Sequence, residues 1–398
     1  MSSLTNDLNV YYYSTVEFVE TPLSYIKGSI PLRREVALQR NHYRFSYDAQ
    51  NRLISVGFFN GSTPRHPNHT ANLFTLSHRM EFTYEDRIQR IDFFDENGQK
   101  ITVLGDCSQF VFTLDEFGYR KSLYFLDGQG NRIQNSWNIY EYRWQHQNDG
   151  TVIENRFDKE GNEVSIRPGF EFYRLKLSFN HLGHIALMQN IDSNGNLVTN
   201  ASGASQDRIT TNAMGNFLCW EVLDNNHQLE RGNGPNVATG IQTFDKYGNE
   251  ITIEHRDENN QPIHSAYGIF RSQTRYDSFG NLSERRFFDE DGNPSNHQMA
   301  GYHRLYIEWE DSGNNRKRLS YYDLNNSSTS HRTRGYHAAE YEYNQNGDLS
   351  RVSFLDENGS LINRKDNGIA YILYQYNRDG IQKLVTEFDK NGMPIKTN

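Results

Sequence analysis

Short runs of alternating apolar and polar residues fill most of the chain, and turn-forming residues separate these runs. Phe45 and Tyr47 flank the polar Ser46, and residues 341–343 repeat the pattern as Tyr-Glu-Tyr. Because successive side chains of a strand point to opposite faces, the alternation predicts β-strands with one buried face and one face in water.

The turns between these runs recur at nearly constant spacing. An aspartate follows an apolar run and precedes a turn, and Asn60 takes the same place one repeat earlier. These aspartates are Asp95, Asp127, Asp158, Asp192, Asp224, Asp257, Asp289, Asp323, Asp356 and Asp389. A period of about 33 residues predicts a tandem repeat along the chain.

A second turn marker precedes the first in many repeats and follows a bulky residue such as Phe179 or Trp309. Its members are Asp48, Asp115, Asn180, Asp245, Asp277, Glu310, Asn344 and Asn377. One repeat therefore reads as strand, turn, strand, turn and short strand. Asp or Asn opens each turn by accepting main-chain amide hydrogen bonds, and a glycine such as Gly280 supplies the positive φ of a bulged hairpin.

The sequence therefore predicts an all-β fold. About eleven tandem β-hairpin repeats form one long coiled antiparallel sheet, which is a spiral, a solenoid or barrel-like. Residues 1–40 form an N-terminal cap with a short helix near 33–39, and residues 41–398 form the array, with irregular insertions at 61–73 and 200–236. The second insertion is either a surface loop or a loop that shapes a binding cleft.

The run Tyr276-Asp-Ser-Phe-Gly-Asn-Leu282, echoed by Tyr47-Asp-x-x-Asn-Arg-Leu and Phe244-Asp-x-x-Gly-Asn-Glu, resembles the YD repeats of the RHS family. This resemblance implies a long spiralling β-sheet of the kind that family often wraps around a toxin or other cargo. The period here is longer than the basic YD unit. The run Phe93-Phe-Asp-Glu-Asn-Gly98 is also similar to choline-binding hairpin repeats, although the Gly-Trp step of those repeats is absent.

Composition and charge narrow the partners. Aromatic residues make up 13% of the chain, which is typical of a chain that folds rather than of a disordered one. The net charge is -9 and the sequence has no basic stripe, so we expect no nucleic-acid partner. Cys107 and Cys219 lie in different repeats, which favours a reducing compartment. With neither an apolar leader at the amino terminus nor a membrane-length apolar run, we expect a cytoplasmic protein; export without a cleaved signal is the alternative.

Familiar catalytic, nucleotide and metal motifs are absent from the sequence, which predicts no cofactor and no metal. The pairs His66/His69 and His181/His184 have a spacing that suits a metal on a helix, but they fall in predicted turns without an evident third ligand. Turn capping explains the acidic turns better than calcium binding does.

Histidines that break or mark the repeat are the candidates for chemistry. His303 and His337 take equivalent places in neighbouring repeats, and they approach each other if equal positions stack. His255, beside Glu254, stands where other repeats place an aromatic ring. These four residues are predicted as acid–base groups, although copying of a structural residue by repeat duplication explains the pattern as well.

Aromatic side chains are the candidates for ligand binding. The predicted contacts are Trp220, Trp309, Tyr302 and Tyr336, each of which could equally be a core residue. The preferred hypothesis is a repeat scaffold that binds a protein, a glycan or a small hydrophobic or aromatic ligand through its concave or loop face. The alternative is an enzyme, a cyclase, isomerase or hydrolase, with an aromatic-lined pocket and His/Glu acid–base groups. The sequence does not decide whether the protein is catalytic.

Overall fold

The structure, a computed structural model, describes residues 9–67, 74, 76–377 and 382–397. His69 and the 68–73 portion of the first predicted insertion lie outside the described residues. The described residues form 27 strands of one antiparallel sheet and a single short helix, α1 (Arg34–Ala37). The all-β prediction is confirmed, as is the short helix near 33–39.

The strands follow one another along the chain with short turns. The first nine are β1 (Val10–Val16), β2 (Gly28–Leu32), β3 (Asn41–Tyr47), β4 (Leu53–Asn60), β5 (Thr63–Pro64), β6 (Arg79–Glu85), β7 (Ile88–Phe94), β8 (Gln109–Leu114) and β9 (Arg120–Leu126). The next nine are β10 (Arg132–Ile133), β11 (Glu141–His146), β12 (Val152–Phe157), β13 (Arg174–Phe179), β14 (Ile185–Asn190), β15 (Gln206–Thr211), β16 (Phe217–Leu223), β17 (Thr239–Phe244) and β18 (Glu250–Arg256). The last nine are β19 (Arg271–Tyr276), β20 (Leu282–Phe288), β21 (Arg304–Trp309), β22 (Arg316–Tyr322), β23 (Ala338–Tyr343), β24 (Leu349–Leu355), β25 (Tyr371–Tyr376), β26 (Gln382–Phe388) and β27 (Pro394–Thr397).

The chain divides into two compact units. Unit 1 comprises Met1–Asn249 and Asp257–Gln261, and unit 2 comprises Glu250–Arg256 and Pro262–Asn398. In unit 1, β1 pairs with both β2 and β3, and six long hairpins follow, from β3–β4 to β15–β16. In unit 2, β18 pairs with β19, and four hairpins lead from β19–β20 to β25–β26. Residues 200–236 hold the hairpin β15–β16 and its flanking turns.

The turns behave as the sequence predicts. Asp277 Oδ1 accepts hydrogen bonds from the main-chain N of Phe279 at 2.9 Å and of Asn281 at 2.8 Å, and Gly280 adopts φ +86°. The second turn closes on a single bridge, Phe288 to Pro294, rather than on a full short strand. The hairpin repeat therefore follows from turn chemistry that can be read in the sequence.

Aromatic side chains fill the core of each unit. In unit 1, Phe110 packs edge-to-face against Phe93 and Phe125, with ring centroids 4.8 and 4.9 Å apart. The buried Val19 and Leu23 of the N-terminal segment belong to the same core. Edge-to-face packing of this kind stabilises a sheet whose overall apolar content is low.

Candidate functional site

A repeated hydrogen bond marks the end of the first strand in many hairpins, a place we call the tip position. In unit 2 the side chain at this position donates to the carbonyl of the residue that begins the second strand of the preceding repeat. The bonds are Tyr276 to Glu250, Trp309 to Leu282, Tyr343 to Arg316 and Tyr376 to Leu349, at 2.9, 2.9, 3.0 and 2.8 Å. This bond explains why the tip position is usually a Tyr or Trp: a long side chain with a polar end is required.

Unit 1 departs from this pattern in neighbouring repeats. His146 still donates from Nε2 to the carbonyl of Arg120 at 2.9 Å, but Phe179 has no donor and Thr211 is short. A cavity of about 430 Å³ lies beside these three tip positions and the N-terminal segment 17–27. We call it the tip cavity. The N-terminal segment and the three tip positions thus line the same space.

Arg120 anchors the N-terminal segment at one end of the tip cavity. Its guanidinium donates to the carbonyls of Pro22 at 2.6 Å and Ser24 at 2.9 Å, and to Gln89 Oε1 at 2.7 Å. The same group lies 4.2 Å from the ring centroid of Tyr25. Burial lowers the pKa of Arg120 to about 10. Because its terminal nitrogens are already bonded to the protein, this cation is a structural anchor of the segment.

Glu20 forms a second anchor through an ion pair with Arg167. The buried Asp207 also lies in the field of this pair, and Asn233 Nδ2 donates to its Oδ1 at 2.9 Å. Burial, and then the Glu20 carboxylate, raise the pKa of Asp207 well above its ordinary value. A raised pKa favours the neutral carboxyl, which places no further negative charge beside Glu20.

A chain of polar side chains forms part of the cavity wall. His184 Nδ1 lies 2.9 Å from Thr211 Oγ1, and His184 Nε2 lies 3.4 Å from Glu17 Oε2. Asn180 Nδ2 donates to Thr211 Oγ1 at 3.3 Å. Glu17, His184 and Thr211 all line the tip cavity. The arrangement links a hydroxyl, an imidazole and a carboxylate in one row.

Exposed aromatic rings surround the mouth of the tip cavity. Tyr25 and Tyr119 are lining residues with 42% and 56% of their surface exposed. Tyr119 leans on His146, with ring centroids 5.1 Å apart, and Tyr25 Oη donates to the carbonyl of Gly118 at 3.3 Å. The site therefore combines aromatic faces outside with hydrogen-bonding groups inside.

The predicted catalytic histidines lie elsewhere, in unit 2. His255, His303 and His337 are buried, and their Nδ1 atoms bond the carbonyls of Ile269, Ser295 and Thr329 at 2.9, 2.9 and 3.2 Å. A carbonyl only accepts, so each Nδ1 donates. His303 and His337 begin hairpins of successive repeats, and their amides bond different strand ends, Tyr322 and Leu355. Their catalytic role stays a prediction.

Glu254, the fourth predicted acid–base group, pairs with Arg256 at 2.8 Å. The pKa of His255 is lowered by burial, and the Glu254 carboxylate opposes that shift only as a minor cause. The two residues are thus electrostatically linked, while the imidazole itself is bonded to main-chain carbonyls. A structural role accounts for these contacts, and the predicted catalytic role is untested.

The predicted ligand-binding aromatics make contacts within the protein. Tyr302 and Tyr336 are buried, with ring centroids 4.5 Å from Tyr321 and 4.9 Å from Phe354 respectively. Trp309 caps a carbonyl through its indole, as described for the tip position. Trp220 stacks on Phe217 at 5.7 Å. Their binding role stays a prediction.

The described residues contain neither a metal-binding cluster nor a membrane-spanning helix. Within the described residues, no group of three or more His, Cys, Asp or Glu side chains is placed to hold a metal ion. His184 of the predicted pair His181/His184 faces Thr211 and Glu17, and His66 Nδ1 lies 3.2 Å from the carbonyl of Pro67. No helix in the described part of the chain has the length and apolar character needed to cross a bilayer.

The residues of the tip cavity were missed by the sequence reasoning, although a signal for them exists. The second turn marker skips the repeats at Gln147 and Asn212, and the residues before these turns, His146 and Thr211, are not bulky apolar side chains. Both line the cavity. Two of the gaps in the repeat series therefore adjoin the site, whereas a further gap, at Glu85, lies outside the cavity lining.

Comparison with known proteins adds little to this description. No family model matches the chain, and no curated protein matches it. The structure of TcdB2-TccC3 without its hypervariable C-terminal region is similar at 11% identity and a TM-score of 0.34, covering 87% of this chain and 19% of that one. The Photorhabdus luminescens Tc holotoxin pore shows 12% identity and a TM-score of 0.26, with 89% and 18% covered.

A porin-like protein from Bacteroides uniformis shows 8% identity and a TM-score of 0.23, covering 78% of this chain and 94% of that one. The chain spans about a fifth of the length of the toxin-complex chains it resembles. The likeness to TcdB2-TccC3 is coarse, and membership of the RHS family stays a prediction. No function is transferred from these proteins.

Proposed function

We propose that this chain is a repeat scaffold that binds a glycan partner in the tip cavity. The observation that carries the proposal is the cavity itself, about 430 Å³ in volume, with exposed Tyr25 and Tyr119 at its mouth and Glu17, His184 and Thr211 in its wall. Binding sites for small ligands commonly range from about 300 to 1,000 Å³ and combine apolar walls with a few polar groups. One or two sugar rings match this size.

The chemistry of the wall suits a neutral, hydroxyl-rich ligand. A tyrosine ring packs against the apolar face of a sugar, while carboxylate, imidazole and amide groups hydrogen-bond its hydroxyls. His146 donates from Nε2 to a carbonyl, so in its neutral form Nδ1 is left as an acceptor. Lys27 Nζ lies 3.7 Å from Glu17 Oε2, which balances charge at the mouth.

A phosphate-bearing ligand fits this cavity less well. The terminal nitrogens of Arg120 are occupied by Pro22, Ser24 and Gln89, and the chain carries a net charge of -9. Anion-binding sites instead present free arginine or lysine donors. We therefore favour a glycan-binding scaffold. Binding of a protein in place of a glycan is the outcome that would replace this proposal.

A glycan microarray, followed by titration calorimetry on the sugars it identifies, tests this proposal. Tyr119→Ala is expected to weaken binding about tenfold, because loss of one stacking contact of about 1.4 kcal/mol corresponds to that factor. Tyr267→Ala is the matched control, since Tyr267 is 55% exposed and lies in unit 2. Failure of the wild-type protein to bind any sugar, or equal binding by Tyr119→Ala, contradicts the proposal.

The enzyme alternative retains two candidate sets. The row formed by Glu17, His184 and Thr211 is one. The set predicted from the sequence, His255, His303, His337 and Glu254, is the other; we propose His303→Gln as its test, because Gln keeps a donor for the Ser295 carbonyl while removing an acid–base group. The cytoplasmic location is likewise a proposal, tested by fractionation of expressing cells.

A further inference from the structure

We propose that Thr211, His184 and Glu17 form a nucleophilic relay that cleaves a carboxylic ester on the ligand of the tip cavity. This inference rests on the proposed function only in placing a glycan ligand in the tip cavity. The substrate class of the relay is an O-acylated sugar. All three side chains line the cavity. The hydroxyl and the carboxylate stand on opposite nitrogens of one imidazole, as a nucleophile and an orienting acid must.

The neighbouring hydrogen bonds leave the Thr211 hydroxyl proton available for His184. Asn180 Oδ1 accepts the main-chain amides of Leu182 at 2.9 Å and His184 at 3.1 Å. The other atom of that amide group, the one that reaches Thr211 Oγ1 at 3.3 Å, is therefore the donor Nδ2. Oγ1 accepts from Asn180, and when His184 Nδ1 carries no proton the Thr211 hydroxyl donates its own proton to that nitrogen, 2.9 Å away.

The relay uses one tautomer of the imidazole. When Nδ1 accepts from Thr211, the proton of a neutral His184 sits on Nε2 and points to Glu17 Oε2 at 3.4 Å. The His184 side chain is only 9% exposed and that of Glu17 is 21% exposed. Partial shielding from water strengthens the interaction of the carboxylate with an imidazole that gains a proton.

The repeat pattern argues that this contact is more than a turn bond. In other repeats the residue in the place of His184 bonds its own turn: Asn249 and Asn281 donate from Nδ2 to Asp245 and Asp277. Asn281 Nδ2 also reaches the next hairpin, at the main-chain carbonyl of Gly313, whereas His184 reaches the next hairpin at a side-chain hydroxyl, because the tip position there holds Thr211. Two departures from the repeat therefore occur in adjacent hairpins and meet at one hydrogen bond.

The reaction balances with water as its only co-reactant. Thr211 Oγ1 attacks the ester carbonyl carbon while His184 Nδ1 takes the hydroxyl proton, and an Oγ1–C bond forms. The C–O bond to the alcohol then breaks, and the alcohol leaves with the proton from His184. Water attacks the acyl-threonine, gives its proton to His184 and releases the carboxylic acid, and Thr211 recovers its proton.

Hydrolysis of p-nitrophenyl acetate tests the relay. Thr211→Val and His184→Gln are expected to lower the enzyme-dependent rate by about 10² to 10⁴, and Thr211→Ser is expected to restore it in part. Mass spectrometry of wild-type protein quenched during turnover is expected to show an acetyl group on Thr211. Thr210→Val, one residue earlier on β15 and exposed, is the control that keeps the wild-type rate.

Two results overturn the relay: a wild-type protein without hydrolysis above the buffer rate, or a Thr211→Val variant as fast as wild type. Circular dichroism of each variant shows whether the fold is retained, and Thr211→Ser provides a second folded test if the valine variant fails. Wild-type protein that binds a glycan but cleaves no ester refutes the relay alone. Cleavage without glycan binding refutes the glycan proposal alone.

Discussion

Trp144 Nε1 donates a 2.7 Å hydrogen bond to Glu154 Oε2 across the β11–β12 pair. The second oxygen of this carboxylate pairs with Arg156, and neither charged side chain is exposed. Arg156 also donates to the carbonyls of Phe172 and Tyr173 at 2.9 and 2.7 Å. The buried charges are thereby neutralised and hydrogen-bonded, which a dry core requires.

Arg156→Met is expected to lower the free energy of unfolding by about 3 to 5 kcal/mol, because it leaves the Glu154 carboxylate buried without its partner. Urea denaturation followed by tryptophan fluorescence measures the change. Arg143→Met is the matched control: its partner Glu141 lies on the same strand, and the Arg143 side chain is 58% exposed. Its loss is expected to cost less than about 1 kcal/mol. Equal effects of the two variants would contradict the burial account.

The turn aspartates predict a loss of stability in acid. Main-chain N–H groups of Asn131 and Asn196 hold the pKa values of Asp127 and Asp192 below the ordinary 3.8. When the pKa of a carboxyl is lower in the folded state than in the unfolded state, its charged form stabilises the fold at pH values above the unfolded-state pKa. That stabilisation is lost as the pH falls through the folded-state pKa. The urea midpoint should therefore drop below about pH 4.

Asp127→Asn tests this cause, since Asn180 and Asn212 already open turns by the same main-chain bonds without titrating. The variant is expected to keep the hairpin and to lose less stability between neutral and acid pH than the wild type. A steeper acid loss in the variant would show that the carboxylate does not stabilise this turn.

Gly240 makes room for the ring of Trp220 on the neighbouring strand. A Cβ at residue 240 would lie 1.9 Å from a Trp220 ring atom, and the two residues are direct partners in the β16–β17 pair. Gly240→Ala should cost about 1 to 3 kcal/mol and shift the indole fluorescence, because the ring must move. Gly128→Ala, where a Cβ meets nothing within 4 Å, should change neither property.

Buried tyrosines predict a loss of stability in alkali. Burial raises the pKa of Tyr302 from 10.0 to about 12. The folded state favours the protonated hydroxyl of Tyr302. Its contribution to stability is therefore complete below pH 10.0 and is lost as the pH rises through the folded-state pKa. The loss is on the order of 2 kcal/mol. Tyr302→Phe should flatten the alkaline limb of the urea midpoint; an unchanged limb would contradict this assignment.

Much of the fold could be predicted because its causes are local. A carboxylate or amide that caps its own turn, as Asp277 does, needs only residues within four positions, and alternation of apolar residues needs only the two-residue period of a strand. The period then places each hairpin beside the next. An aromatic side chain at the tip position also recurs in many repeats, as Trp309 and Tyr343 show.

The candidate site was harder to predict because it depends on contacts distant along the chain. Glu17 meets His184, and Arg120 meets Pro22, only after the N-terminal segment has folded onto unit 1. The sequence favoured His303 and His337 because they occupy equivalent places in neighbouring repeats. In the structure, the Nδ1 atom of each one bonds a different main-chain carbonyl.

The strands, the turns and their order follow from the amino-acid sequence, since backbone hydrogen bonding and turn capping act between near neighbours. Which polar side chains share a cavity depends instead on long-range packing. That choice is set by the packing of residues 17–27 against hairpins about a hundred or more residues away, and a break in the repeat does not say which distant segment packs there.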